Sequence, residues 1–188
     1  MLQPSVQLSR EAYLLLEQEG ELKHEYYAGQ AFAMAGGTFR HARVAGNIYT
    51  GLASALFGKS CQPMNSDMRM HTPSGLDTYP DISVYCGEPE LADNERTLLN
   101  PVVIIEVLSP STCDYDRGGK FAHYRSILGL QDYLLVDPDT VLVEHYHRLG
   151  RDEWHLQVHT NPAEVLSLTA LSVKLSMQAI YTGLSLFP

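Results

Sequence analysis

Pro101-Val102-Val103-Ile104-Ile105-Glu106-Val107-Leu108 is the stretch that decides the fold. β-Branched residues fill nearly every position, the pattern of a strand buried on both faces. Glu106 interrupts it. An ionised carboxylate in such a place is costly unless a cation meets it. Upstream, Asp81 lies in a second strand-like stretch, Tyr79-Pro80-Asp81-Ile82-Ser83-Val84-Tyr85. Downstream, Lys120 sits on an expected helix over 115–127. Two carboxylates on core strands and a helical lysine point to a site for a divalent metal ion.

Working outward, Ser9 is expected to cap a helix over 10–18, which Gly20 ends. Stretches 22–28 and 30–35 read as a hairpin turned at Ala28-Gly29. Thr38 is expected to cap a long helix over 39–57, where Val44, Ile48, Leu52, Ala55 and Leu56 follow helical spacing. Strands are expected at 60–63, 68–71 and 79–85, followed by a polar loop with Glu88, Glu90, Asp93, Glu95 and Arg96. Beyond the helix at 115–127, stretches 132–136, 141–147 and 154–159 read as three meander strands. Residues 166–168 read as a short strand and 175–181 as a short helix or turn. No repeat or shift in composition divides the chain. Residues 1–188 therefore read as one domain of α/β (mixed α+β) class, with a central mixed sheet flanked by helices and an N-terminal helix and hairpin.

The 188 residues are 45% hydrophobic and 19% charged, the balance of a folded chain rather than a disordered one. No apolar run approaches the span of a bilayer. Residues 1–5 do not begin a basic-then-apolar leader. Cys61, Cys86 and Cys113 are far apart and odd in number, which argues against a disulfide framework or a cysteine zinc site. The expectation is a cytoplasmic protein with free thiols and no membrane segment. A net charge of −9 speaks against a broad phosphate-binding face. Its distribution softens the objection. Residues 36–75 carry Arg40, Arg43, Lys59 and Arg69 against Asp67 alone, and 111–130 carry Arg117, Lys120 and Arg125 against Asp114 and Asp116.

Phosphodiester hydrolysis by Mg²⁺ or Mn²⁺ requires hard oxygen ligands held rigidly. Asp81 and Glu106 supply carboxylates, and the backbone carbonyls of Ile105 and Val107 could supply more. A lysine beside them can position the attacking water and stabilise charge on the phosphate. Each residue also has a plain structural reading: Asp81 as a strand-start aspartate beside proline, Glu106 as half of a buried ion pair with Arg117 or Lys120, and Lys120 as a solvated helix residue. Lys120 and Tyr124 are one helical turn apart, so both can face the site.

The stretches Tyr-Pro-Asp-Ile-Ser-Val (79–84), Val-Val-Ile-Ile-Glu-Val-Leu-Ser-Pro-Ser-Thr (102–112), Asp-Arg-Gly-Gly-Lys (116–120) and Tyr-Arg-Ser-Ile-Leu-Gly-Leu-Gln-Asp-Tyr-Leu-Leu-Val-Asp-Pro (124–138) resemble the Uma-type family of restriction endonucleases. That bacterial group is assigned to the PD-(D/E)XK nuclease superfamily. The resemblance runs from about residue 9 to 181. It implies a restriction-endonuclease-like fold and metal-dependent hydrolysis of DNA. The family's Pro-Asp aspartate matches Asp81, and its buried strand glutamate matches Glu106. The superfamily's usual lysine, two residues after the acid, would fall at Leu108, so the resemblance places that role on Lys120 of the following helix. His24-Glu25-Tyr26-Tyr27-Ala28-Gly29 and His41 match the family's hairpin and helix histidine, with Tyr27 where an aspartate is usual. Glu25 is thereby implied as an auxiliary metal ligand, or else is a surface hairpin glutamate. His41 either meets phosphate or a water near the metal, or caps and packs its helix. His41, Arg117 and Tyr124 are the candidate substrate contacts.

Other features have plainer readings. His145 and His147 alternate on one strand and face one side, but no third ligand is evident nearby, and an exposed polar face is expected. Asp67 reads as a site-edge residue or a partner of Arg69. Gly36-Gly37 and Gly118-Gly119 are too short for a phosphate loop and give the chain room to turn before each helix. Three functions compete. The first is a Mg²⁺- or Mn²⁺-dependent endonuclease acting on DNA, as a homodimer because two sites cut two strands. The second is a nucleic-acid-binding module on the same fold with weak or no catalysis. The third is a metal-dependent hydrolase of another phosphorylated compound.

Overall fold

The computed structural model describes residues 7–185; the reading of residues 1–5 lies outside the described residues. Helix α1 (Arg10–Glu19) is capped by the Ser9 hydroxyl, which accepts from the Ala12 N–H at 3.2 Å. Gly20 ends it, donating its N–H to the Leu16 carbonyl at 2.8 Å. A Cβ on Gly20 would lie 2.7 Å from that same oxygen, so glycine is required there. Strands β1 (His24–Tyr27) and β2 (Gln30–Ala33) form the expected hairpin. Its turn needs two left-handed residues, and Ala28 and Gly29 have φ of 49° and 84°. Helix α2 (Phe39–Leu56) starts at Thr38, whose hydroxyl accepts from the His41 N–H at 3.2 Å.

Seven strands follow: β3 (Cys61–Asn65), β4 (Arg69–His71), β5 (Asp77–Thr78), β6 (Ile82–Cys86), β7 (Leu91–Ala92), β8 (Thr97–Leu98) and β9 (Pro101–Val107). A helical passage then crosses over as α3 (Cys113–Tyr115), a π-turn at Asp116–Lys120 and α4 (Phe121–Tyr124). After it come β10 (Asp132–Asp137), β11 (Leu142–Arg148), β12 (Trp154–His159), the hairpin of β13 (Val165–Leu168) and β14 (Val173–Ser176), and α5 (Met177–Ile180).

The principal sheet has the order β12-β11-β10-β9-β6-β3. It is antiparallel except at β9 and β10, which run parallel with Ile104 beside Tyr133 and Glu106 beside Leu135. A parallel pair needs a crossover, and the α3–α4 passage supplies it. A second sheet, β2-β1-β5-β4-β8-β7, carries the hairpin. Side chains alternate along β9. Val103, Ile105 and Val107 pack with Val44, Ile48, Leu52 and Leu56 of α2 and with β13 and β14. Ile104 packs on the other face with Phe121, Tyr124, Leu130 and Tyr133. Burial of each such side chain contributes about 1.5–3 kcal/mol. Glu106 falls on the second face, beneath the crossover helix.

Several expectations need correction. Residues 79–81 do not extend β6; they form the break between β5 and β6, and Asp81 stands at its end. The helix expected over 115–127 is shorter and contains the π-turn. The polar loop contains β7 and β8, two residues each, too short to show a period. Cys61 and Cys86 are directly opposed on antiparallel β3 and β6 and are joined by a disulfide, so only Cys113 is a free thiol. Arg69 does not pair with Asp67. It binds Asp93 at 3.3 Å, while Asp67 takes Lys23 at 2.7 Å. His145 does not lie on an exposed polar face; it is 3% exposed. Among the described residues no helix is long and apolar enough to cross a membrane.

Candidate active site

β6 begins at Ile82, opposite Ile105 of β9, so Val107 has no strand partner on that side. The Asp81 carboxylate supplies one. Its Oδ2 accepts the Val107 N–H at 2.8 Å, and in return the Asp81 N–H donates to Glu106 Oε2 at 3.2 Å. The two carboxylates are therefore fixed by backbone where two strands diverge. Glu106 is 4% exposed. Its Oε1 accepts the Tyr124 hydroxyl at 2.6 Å and lies 3.1 Å from Lys120 Nζ.

Lys120 is buried at the end of the π-turn. Such a turn takes one residue more than an α-turn and is frequent at functional sites. Its ammonium meets Glu25 Oε1 at 2.8 Å and Asp116 Oδ1 at 3.5 Å as well as Glu106. Glu25, on β1, is held by the Thr78 hydroxyl at 2.6 Å. Asp116 is held by the Thr112 hydroxyl at 2.8 Å. His41, in the first turn of α2, brings Nε2 to 3.3 Å from Asp81 Oδ2.

One buried ammonium thus faces three carboxylates, with Asp81 against one of them. Burial pushes Glu106 up to about 7; Asp81 and Asp116 add to this, and Lys120 opposes it. Burial also raises Asp116, again against Lys120. Burial works against charge on Lys120, but Glu106, Glu25 and Asp116 together hold it well above the ordinary lysine value. The hydrogen bond to Asp81 raises His41, against the effect of burial. Burial is the chief cause of the Glu106 shift and the neighbouring carboxylates add to it, so a cation brought beside this carboxyl would favour its ionised form. Asp116 Oδ1 is moreover buried without a hydrogen-bond partner. An all-oxygen set of this kind suits a hard divalent cation, which is held by one or two carboxylates and keeps several waters.

The structure brings Asp81, Glu106, Lys120, Glu25 and His41 together. Glu25 is not a surface glutamate, and its contact is with the lysine. Tyr124 is fully buried and spends its hydroxyl on Glu106. Arg117 pairs with Glu144, its Nε 2.9 and 3.1 Å from the two carboxylate oxygens. Val107 gives its N–H to Asp81, and its side chain belongs to the α2 core. The sequence reading missed Asp116 and Thr78. The four-residue spacing of Asp116 and Lys120 was the available signal.

Residues 10–179 match the model of the Uma2 family, described as "Putative restriction endonuclease". The chain belongs to the Uma2 family. A relative from Synechocystis sp., described as an uncharacterized protein, is 36% identical over 183 residues, covering 97% of this chain and 95% of its own. A second uncharacterized Synechocystis protein is 35% identical over 151 residues, 79% of this chain and 85% of its own. A similar fold is seen in a crystal structure from Anabaena variabilis, described as a putative nuclease belonging to DUF820. Its TM-score is 0.75 at 20% identity, covering 92% of this chain and 96% of that one. That likeness shows the mixed α/β, nuclease-like fold.

Proposed function

We propose that this protein is a divalent-metal-dependent endonuclease that hydrolyses DNA phosphodiester bonds. The observation that supports it most is the interlock of Asp81 and Glu106 at the strand ends, with Lys120 buried against Glu106. In this reading Asp81, Glu106 and the Val107 carbonyl are the oxygen donors for Mg²⁺ or Mn²⁺. A cation bound there supplies an activated water and offsets charge on the phosphate. Lys120 stabilises charge that develops beside Glu106. Glu25 and Asp116 hold the lysine in place. Tyr124 fixes the Glu106 carboxylate from behind. His41, partly exposed and hydrogen-bonded to Asp81, is the group offered to a phosphate from the solvent side. Cutting both strands of a duplex calls for two copies of the chain.

A second reading, a nucleic-acid-binding module with little catalysis, is favoured by Lys120, whose ammonium already pairs with Glu25, Glu106 and Asp116. Plasmid and single-stranded DNA incubated with Mg²⁺ or Mn²⁺ separate the two, run beside Asp81→Asn, Glu106→Gln and Lys120→Met. Metal-dependent cleavage that vanishes in the two carboxylate variants supports the nuclease. DNA retention without cleavage, unaffected by Asp81→Asn, sinks it.

A further inference from the structure

A second cluster lies on the opposite face of the principal sheet. Glu106 is beside Leu135, whereas Asp132 is three residues earlier on β10 and so points to the other side. Asp132 is opposite His147, and His145 is two residues before it on β11, so all three share that face. His145 Nε2 lies 2.7 Å and His147 Nδ1 2.8 Å from the same oxygen, Asp132 Oδ1. The ligand atoms of the three residues are all within 4.8 Å of one another. Asp132 and His145 are buried, while His147 is about one-third exposed, which leaves an entry from solvent.

Hydrogen bonding alone accounts poorly for this arrangement. A buried carboxylate ordinarily uses both oxygens, yet both imidazoles converge on Oδ1, and Oδ2 is buried with no partner. A second unused atom lies nearby. The His159 ring is 6.4 Å from that of His145, and its Nε2 is buried without a partner. Its Nδ1 is 2.7 Å from Glu164. A carboxylate on one ring nitrogen is the usual way to orient the other toward a metal.

We propose that Asp132, His145 and His147 form a second cation site, for a divalent ion of the zinc class, with His159 alongside as a further nitrogen donor. Two imidazoles and one carboxylate suit zinc, cobalt or nickel better than magnesium. The site joins β10 to β11 behind Tyr133 and Leu135, so its role is to fix the strands that back the Glu106 face. It stands whether or not the protein cleaves DNA.

The test uses the full chain, stripped with a chelator and titrated with Zn²⁺ and with Co²⁺ by calorimetry. Glu106→Gln serves as background so that the other site does not confuse the count. One equivalent is expected to bind, and X-ray absorption of the Co²⁺-loaded Glu106→Gln protein is expected to show two or three imidazoles and a carboxylate. His147→Gln, chosen because that side chain is part-exposed and circular dichroism can confirm its fold, should weaken binding more than the 10–100-fold typical of lost supporting contacts. No uptake by the Glu106→Gln protein, a cobalt spectrum without imidazole, or His147→Gln binding as tightly as its parent would each overturn the proposal.

Discussion

Replacing Glu106 with glutamine should make the protein more stable at neutral pH, even if it abolishes activity. The wild-type carboxyl is pushed from an ordinary 4.5 to about 7. Folding therefore takes up a proton between those values. The folded state has this contribution in full below about 4.5 and loses it as pH rises through about 7. The difference is worth roughly 3 kcal/mol at about 1.4 kcal/mol per unit. Glutamine carries no charge and escapes that loss. It cannot keep both the Tyr124 and the Asp81 N–H contacts in their present form, which costs about 1 kcal/mol at every pH. Lys120 is not stranded, because Glu25 at 2.8 Å and Asp116 at 3.5 Å remain. The expectation is a variant about 2 kcal/mol more stable than wild type at pH 8.5 without divalent metal, and less stable by about 1 kcal/mol at pH 4.5. Urea denaturation across pH 4.5–8.5 in the presence of a chelator reads this directly. A stability difference that stays constant with pH, or a variant markedly weaker at pH 8.5, would refute the cost of ionising buried Glu106.

Tyr124→Phe removes a hydroxyl that stabilises ionised Glu106. Hydrogen bonds to charged groups are worth about 1.5–3 kcal/mol, so the pH–rate profile for cleavage should move one or more units toward alkali; an unmoved profile would remove Tyr124 from the site. The His41 ring should titrate above its ordinary 6.5 by NMR and fall back in Asp81→Asn, since Asp81 is the main cause of the shift. The stabilisation tied to that proton is present below about 6.5 and disappears as pH rises through the folded value. Asp77 is wholly buried and joins Arg10 by two bonds of 2.9 and 2.8 Å, with His71 at 3.1 Å. Asp77→Asn should cost about 3–5 kcal/mol in urea denaturation. Burial works against the Asp77 charge, yet His71 and Arg10 still lower its pKa, so wild type should lose this stabilisation only as pH falls below about 4.

What could be read from sequence followed from local chemistry. The near-continuous β-branched run of β9, the four-residue apolar spacing of α2 and the Ser9 and Thr38 caps each declare their element within a few residues. A charge inside an apolar run singled out Glu106, and the ordered Asp81 and Lys120 came with it. What stayed hidden depended on register. Asp132 lies thirteen positions before His145 and becomes its neighbour only once β10 pairs with β11. Cys61 and Cys86 meet only because β3 runs beside β6. Asp116 entered only the charge balance of residues 111–130, because nothing local says which side of a broken helix faces inward. Arg69 found Asp93 through the parallel pairing of β4 with β8, an arrangement of two- and three-residue strands that leaves no pattern.

The π-turn at Asp116–Lys120 makes the charge of the cluster a matter of chain length. Each residue of an α-helix advances the chain by about 100°. Deleting Gly118 or Gly119 would restore ordinary pitch and turn the upstream half of the passage by about that angle relative to Tyr124. Lys120, Phe121 and Tyr124 would keep their seats in the lower core, while Asp116 and the Thr112 hydroxyl that steadies it would swing off the ammonium. One glycine more or less therefore works as a tuning screw. It sets how many acids share a single base, and with that how strongly the cleft calls for an outside cation, at the cost of the Cys113 packing and of the Tyr133 hydroxyl's bond to the Asp116 carbonyl.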